Sequence, residues 1–360
     1  MDFSFFSKEK DSKESKVLVI SKDTNRLALI VEHLSLKGLS AISLKGDIFN
    51  LAPDSIPKNI QAVVVDCLVI EREVEDYIHI ICKLLPTNLP CVILGDNDSI
   101  TIYQEFLKKN IFYLHFASQL NLVYEQISNY QSMNAYAGFI KISVLGTKGG
   151  AGASSIAYAL ASNIYKRYKN KVLCVQGADS SFNLDLLSGR NFEASDIKDD
   201  ELSLYKESRE EAYNFEAELF RKFNFVVFDH SVQGLNKDEI ESILNSSDSC
   251  VLVLDSTLSS IRKAKEILRA NNFLASINQG AKKLLICLNK SGFACGDSLD
   301  ITKIEEFLES KVDLVLPYQS RLNEFKFSPS TKLQNAINEV TNKLVGDIKS
   351  KGLKLFRRVK

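Results

Sequence analysis

Short apolar runs alternate along this chain with segments whose apolar residues recur every three or four positions. Residues 17–20, 41–44, 62–66, 91–94 and 112–115 read as strands. Between them, 25–37, 74–85 and 99–109 carry helical spacing, and 120–131 closes the series as a helix. The run Ala62-Val63-Val64-Val65-Asp66 is apolar on both faces, as a strand covered on both sides requires. Strands alternating with helices predict a parallel sheet over residues 16–131.

The stretch at 132–138 is small and polar and reads as a linker. A second alternation follows, with strands at 140–145, 172–175, 225–229, 250–254, 284–288 and 312–316. It predicts a doubly wound parallel sheet with its ligand at the strands' C-terminal edge, over residues 139–345. The fold class expected is therefore α/β in both domains. Residues 1–15 read as a disordered leader in which Phe3, Phe5 and Phe6 either dock something or hang free. Residues 346–360 read as a basic tail. They are either a basic amphipathic helix suited to an anionic membrane or, preferred because Gly346 and Gly352 interrupt the pattern, a solvated end after the last sheet-covering helix.

Composition narrows this little. The chain has 360 residues, 45 basic and 45 acidic side chains, and no net charge, which gives no reason to expect nucleic acid as a partner. Its seven cysteines form no Cys-x-x-Cys pair and lie mostly in strand-like runs, so they read as small buried hydrophobes in a reducing compartment. With no run of 18 apolar residues and no signal-peptide pattern at the start, a cytoplasmic protein is expected, touching membrane peripherally at most.

The candidate chemistry concentrates in Gly146-Thr147-Lys148-Gly149-Gly150-Ala151-Gly152-Ala153-Ser154-Ser155, which joins a strand to a helix rich in small residues. Glycines let backbone N–H groups approach a phosphate, and the helix N-terminus adds partial positive charge. The usual loop ends Gly-Lys-Ser/Thr; here Ala153 holds the lysine position and a lysine sits earlier, at Lys148. Phe225-Val226-Val227-Phe228-Asp229 has the form of the second NTPase signature, whose carboxylate orients a hydrated Mg²⁺, and Ser154 is the expected hydroxyl ligand. Ser259 or Ser260 is a candidate cap for the helix after the strand at 250–254.

Lys148-Gly-Gly-x-Gly, the loop ending in Asn183-Leu-Asp-Leu-Leu, Asp229, the Leu-Ser-Ser-Ile-Arg segment at 258–262 and Asn289 resemble, in order, the MinD/ParA ATPases with their deviant Walker A loop. That resemblance implies ATP and Mg²⁺ as cofactors and a homodimer. Lys148 would be the signature lysine that reaches the phosphates across the dimer. Gly149, Gly150, Gly152, Ala153, Ser154 and Ser155 would form the loop, Ser154 and Asp229 would serve the metal, and Asn289 would read the adenine. Family members carry Asp-x-Asp after the second strand, the second of which positions the attacking water. Counted forward from Val175 those positions are Gln176 and Ala178; counted back from Asn183 they are Gly177 and Asp179. The first aspartate is absent either way, and Asp179 is catalytic in one register only. Losing one transition-state charge typically costs about 10²–10³ in rate, so hydrolysis is expected to be slow or absent and ATPase activity is an open question.

The first domain resembles the flavodoxin-like receiver domain of response regulators, where an aspartate at the position of Asp66 accepts a phosphoryl group. Asp23 supplies one acid of the expected pair, Gly95-Asp96 stands where Ser or Thr is usual, and His115 where Lys is usual. Without that lysine the phosphoryl charge has no fixed cation, so a docking role is expected, with Asp66 a phosphoacceptor candidate or a strand-end residue in water. A receiver-like domain ahead of such an ATPase is similar to the TadZ/CpaE branch, localisation factors of Tad (Flp) type IV pilus assembly. This implies a localisation and assembly factor at a cell pole beside the inner membrane, partnered by other pilus components including the secretion ATPase. The alternatives are an active ATPase in partition or division-site placement, and a phosphorylation-controlled response regulator.

Overall fold

The computed structural model describes residues 16–57, 59–86, 89–130, 139–198, 202–290, 299–317 and 329–345. The expected leader, the linker at 132–138, Cys295 and the basic tail lie outside these residues. The described chain falls into two α/β units. One comprises residues up to Ile80 together with 89–130; the other comprises 81–86 and everything from 139 onward.

The first unit is built in the order β1 (Lys16–Ser21), α1 (Thr24–Leu36), β2 (Ala41–Lys45), β3 (Ile60–Asp66), α2 (Val74–Leu84), β4 (Cys91–Gly95), α3 (Ile100–Leu107), β5 (Phe112–His115), α4 (Phe116–Gln119) and α5 (Val123–Ser128). Its five strands are all parallel in the order β2-β1-β3-β4-β5, one of the two common doubly wound arrangements. Alternate residues of β3 face opposite sides of the sheet, and Ala62, Val63, Val64 and Val65 are all buried. Asp23 caps α1, its side chain accepting from the N–H groups of Asn25 and Arg26; the helix then buries Leu27, Ile30 and Leu34. The single helix expected over 120–131 is instead two short helices around a 3₁₀ turn at Leu120–Leu122. The helical stretch starts earlier, at Phe116, where the Gln119 side chain folds back to accept from His115 N at 2.8 Å.

The second unit runs β6 (Ile140–Gly146), α6 (Ala153–Tyr168), β7 (Val172–Gln176), α7 (Leu184–Ser188), β8 (Ser195–Asp196), β9 (Ser203–Lys206), β10 (Phe225–Ser231), α8 (Lys237–Ser246), β11 (Ser249–Leu254), α9 (Leu258–Ser276), β12 (Lys283–Asn289), α10 (Ile301–Leu308), β13 (Leu314–Leu316) and α11 (Thr331–Val345). Eight strands order as β13-β12-β11-β6-β10-β7-β9-β8, and only the β8–β9 pair is antiparallel. The sheet is therefore mixed, where a purely parallel one was expected. Strand β8 is two residues long and β9 reads Ser-Leu-Tyr-Lys, polar at both ends, so neither stands out in the sequence as an apolar run. Helix α6 buries Ala157, Ala159 and Ala161 beside Leu160 and Ile164. Its small residues let it lie close over the sheet, which fixes where its N-terminus sits.

All six described cysteines are free, and five are buried. Among the described residues no helix is long and apolar enough to cross a membrane.

Candidate nucleotide-binding site

Strand β6 lies between β10 and β11, so the loop leaving Gly146 opens at the centre of the sheet's C-terminal edge. A Cβ on Gly146 would lie 2.8 Å from the Ala153 methyl, so glycine there is what lets the first residue of α6 pack onto the strand end. Gly152 precedes that helix at φ +92°, in the left-handed region, and supplies no side-chain cap. The first N–H groups of this 16-residue helix are thus left for an anion.

The loop forms one wall of a cleft of about 520 Å³. Lys148, Gly149, Gly150, Gly152, Ala153, Ser154, Ser155, Asp179 and Asp229 all line it. The structure therefore brings together every expected site residue of this unit except Asn289, which belongs to the end of β12 and donates through Nδ2 to the Ala151 carbonyl at 2.7 Å. Ser154 Oγ lies 2.7 Å from Ser181 Oγ. Lys148 Nζ is 3.5 Å from Thr257 Oγ1 and 3.8 Å from Asp255 Oδ2. Gly149 N–H donates to Gln233 Oε1 at 3.0 Å, so a side chain holds one loop amide.

The two registers left open after β7 separate clearly in space. Ala178 is buried and its N–H donates to Glu207, whereas Asp179 is exposed on the cleft. The register counted back from Asn183 is the one that presents a carboxylate.

Asp229 and His230 follow one another at the end of β10, both almost fully buried. Burial pushes the Asp229 carboxyl up to about 6, with the Ser154 hydroxyl pulling the other way. Burial pushes His230 down to about 4, so its imidazole is neutral at pH 7, and Nε2 has no hydrogen-bond partner among the described residues. The ring stacks on Phe228 with centroids 5.7 Å apart. A desolvated carboxylate next to a hydroxyl in a cleft is a donor set that suits a Mg²⁺ completed by water and phosphate oxygens. Ser154 and Asp229 are the residues that would hold it. Among the described residues no group of three His, Cys, Asp or Glu side chains could hold a metal unaided.

The sequence reading missed Ser181, His230, Gln233, Glu207 and Tyr213. His230 carries a signal in its adjacency to Asp229 and Ser181 in its place two residues after Asp179; the others are brought in by loops with no motif. It also placed a helix cap wrongly. Thr257, not Ser259 or Ser260, is the residue preceding α9. Ser260 is buried inside the helix, with its Oγ 2.6 Å from Thr147 Oγ1 and accepting from Asp255 N–H at 3.0 Å.

Asp66 ends β3 in the first unit with its side chain wholly buried. It accepts from Ser21 Oγ at 2.6 Å and pairs with Arg26 at 2.7 Å. Arg26 also pairs with Asp96 at 2.7 Å, and its guanidinium lies 3.6 Å from the centre of the Phe116 ring. A fixed cation is thus present after all, supplied from α1. His115, which stands where lysine is usual, interacts through Nδ1 with Ser118 Oγ at 2.9 Å.

No family model and no curated protein matches the chain. Solved structures do align with it. A ParA family ATPase from Chlorobium tepidum TLS is 16% identical over 56% of this chain and 98% of its own, with a TM-score of 0.42. The septum site-determining protein MinD from Pyrococcus horikoshii OT3, complexed with Mg-ADP, is 16% identical over 60% of this chain and all of its own (100%), with a TM-score of 0.46. In the MinC:MinD cell division complex of Aquifex aeolicus the aligned chain is 20% identical, over 59% of this chain and 98% of that one, with a TM-score of 0.44.

Proposed function

We propose that the second unit is a MinD/ParA-type nucleotide switch that binds ATP with Mg²⁺, dimerises on doing so and hydrolyses slowly. The observation carrying this reading is that the glycine loop, Ser154, Asp179 and Asp229 share one cleft at the centre of the sheet. The N–H groups of Gly150 and Gly152 and the start of α6 bind the phosphates, joined by that of Gly149 once Gln233 releases it. Ser154 and Asp229 would hold Mg²⁺, which when bound would supply positive charge to offset that of the phosphates. Ala153 cannot supply the cation that the usual loop lysine provides, so the charge comes from Lys148, swung away from Asp255 and Thr257 towards a second copy. Asn289 reads the base after releasing Ala151.

In the cell the switch serves as a localisation and assembly factor for a Tad-type pilus, the first unit docking partners such as the secretion ATPase at a pole beside the inner membrane. This finer role rests on the resemblance spanning both units. A second reading, an active ATPase in partition or division-site placement, is favoured by one observation: Asp179 faces the cleft despite the missing first aspartate. Titration of Mg-ATP into wild type, Ser154→Ala and Asp229→Asn, with steady-state turnover, tests both. Micromolar binding that falls about 10-fold or more in either variant supports the switch. Wild-type turnover at the median enzyme rate of about 10 s⁻¹ supports the active ATPase and removes slow hydrolysis. No binding by wild type removes both.

A further inference from the structure

We propose that Tyr213 and Glu207 are positioning residues that hold Asp179 in the cleft; this rests on the nucleotide reading above. Strand β7 ends in Gln176, and its Oε1 is occupied by Leu184 N–H at 3.0 Å. Gln176 therefore pins the far end of the 177–183 loop, and the missing aspartate's position in the register that presents Asp179 is Gly177, which has no side chain. The near end is held from β9. Glu207, buried and one residue beyond that strand, donates its own N–H to Gln176 O at 2.9 Å. Its Oε2 accepts from Ala178 N–H at 3.2 Å and its Oε1 from Tyr213 N–H at 2.9 Å. One buried carboxylate thus ties the loop that carries Asp179 to the segment that carries Tyr213.

Tyr213 completes the bracket, its phenol donating to Asp179 Oδ2 at 2.5 Å. A hydrogen bond to an ionised acceptor is short and strong, so it fixes the carboxylate's rotation as well as its place. Tyr213 holds φ +62°, the left-handed region that bulky residues seldom occupy. Such a conformation persists only where the surroundings over-determine it, and here Glu207 and the Phe215 N–H bond to Tyr213 O at 3.1 Å do so. The ring also sits 5.5 Å from that of His230, next to Asp229. From the third side, Gly177 lies hard against β10: a Cβ there would come within 2.6 Å of both Asp229 O and His230 Nδ1. Asp179 Oδ1 carries no hydrogen bond among the described residues and is left for water.

In the step this serves, the water oxygen bonds to the γ-phosphorus. The bond from that phosphorus to the β–γ bridging oxygen breaks, its electron pair leaving on ADP. The water proton passes to Asp179 Oδ1 and then to solvent. Asp179 acts on the water directly; Tyr213 and Glu207 act through Asp179.

The test is single-turnover hydrolysis of γ-labelled ATP by excess full chain, with Kd for Mg-ATP measured alongside. Wild type, Tyr213→Phe, Asp179→Ala, the double variant and Glu207→Gln are compared. Tyr213→Phe should slow turnover about 10-fold or more and leave Kd unchanged, as loss of orientation does. In the Asp179→Ala background it should have no further effect, a coupling that a merely structural tyrosine would not give. Glu207→Gln, which keeps one acceptor oxygen, should fall between. Wild-type turnover in Tyr213→Phe, an additive loss in the double variant, or Kd changing in step with rate overturns the proposal. Wild-type turnover equal to that of Asp179→Ala also overturns it, because no carboxylate then needs aiming; the binding reading is judged separately, by Kd.

Discussion

Asp229 and His230 are neighbours on β10 whose ionisation is shifted in opposite directions by the same burial. Asp229 rises from 3.8 to about 6, so the folded state holds its proton longer than the unfolded chain does, and stability falls as pH rises from 4 to 6. His230 falls from 6.5 to about 4, so the unfolded chain binds the proton more readily, and stability rises with pH over 4 to 6.5. Each shift corresponds to about 3 kcal/mol, so the two slopes nearly cancel between pH 4 and 6. Asp229→Asn should unmask His230. We expect the variant to be more stable than wild type at pH 7 by up to about 3 kcal/mol, and to gain stability steadily from pH 4 to 6.5. Urea unfolding at several pH values checks this; a flat profile in the variant would contradict it.

The same burial predicts proton linkage to metal binding. A cation at Asp229 requires the ionised carboxyl, so affinity for Mg-ATP should decline as pH drops below about 6. Calorimetry in buffers of different ionisation heat should detect proton release at pH 5.5 and less at pH 7.5. Equal release at both would place the metal elsewhere.

Gly152→Ala should damage the loop twice. Its φ of +92° is strained for any residue with a Cβ, and the added methyl would run into the Asn289 amide. We expect a loss of about 1–3 kcal/mol in stability and at least about a 10-fold loss of nucleotide affinity. Thermal melting and titration read the two effects separately. An unchanged affinity would mean that the loop does not cradle the phosphates.

Most of the α/β architecture was legible in the sequence because parallel strands buried on both faces are continuous apolar runs, such as 62–66 and 250–254. The loop and Asp229 were legible because their residue types are dictated locally, by backbone approach and by strand-end position. What stayed hidden was assembled from a distance. Glu207 and Tyr213 reach Asp179 from beyond β9, whose Ser-Leu-Tyr-Lys run is polar at both ends and does not stand out as a strand. Arg26 reaches Asp66 across 40 residues of sequence, and helical spacing after Asp23, not any motif, aims it there. The aspartate register could not be settled by counting, because a loop's path between β7 and Asn183 depends on what holds it.

Arg26 gives a prediction for the first unit. Removing one partner of a buried ion pair leaves an uncompensated charge, so Arg26→Ala should cost on the order of 3 kcal/mol, and Arg26→Ala with Asp66→Ala clearly less. Denaturant unfolding of the four-member cycle measures the coupling. With both Ser21 and Arg26 on its oxygens, Asp66 should also take up no phosphoryl group from acetyl phosphate; label lost on Asp66→Ala would overturn that expectation.

In the proposed switch, ATP sets the oligomeric state through the glycine loop and Lys148. Size-exclusion light scattering of wild type and Lys148→Ala, with and without Mg-ATP, tests it most directly. The switch predicts a wild-type monomer that becomes a dimer on adding Mg-ATP, and a Lys148→Ala variant that stays monomeric. A wild-type protein whose mass does not respond to Mg-ATP, or a variant that dimerises as wild type does, would contradict it.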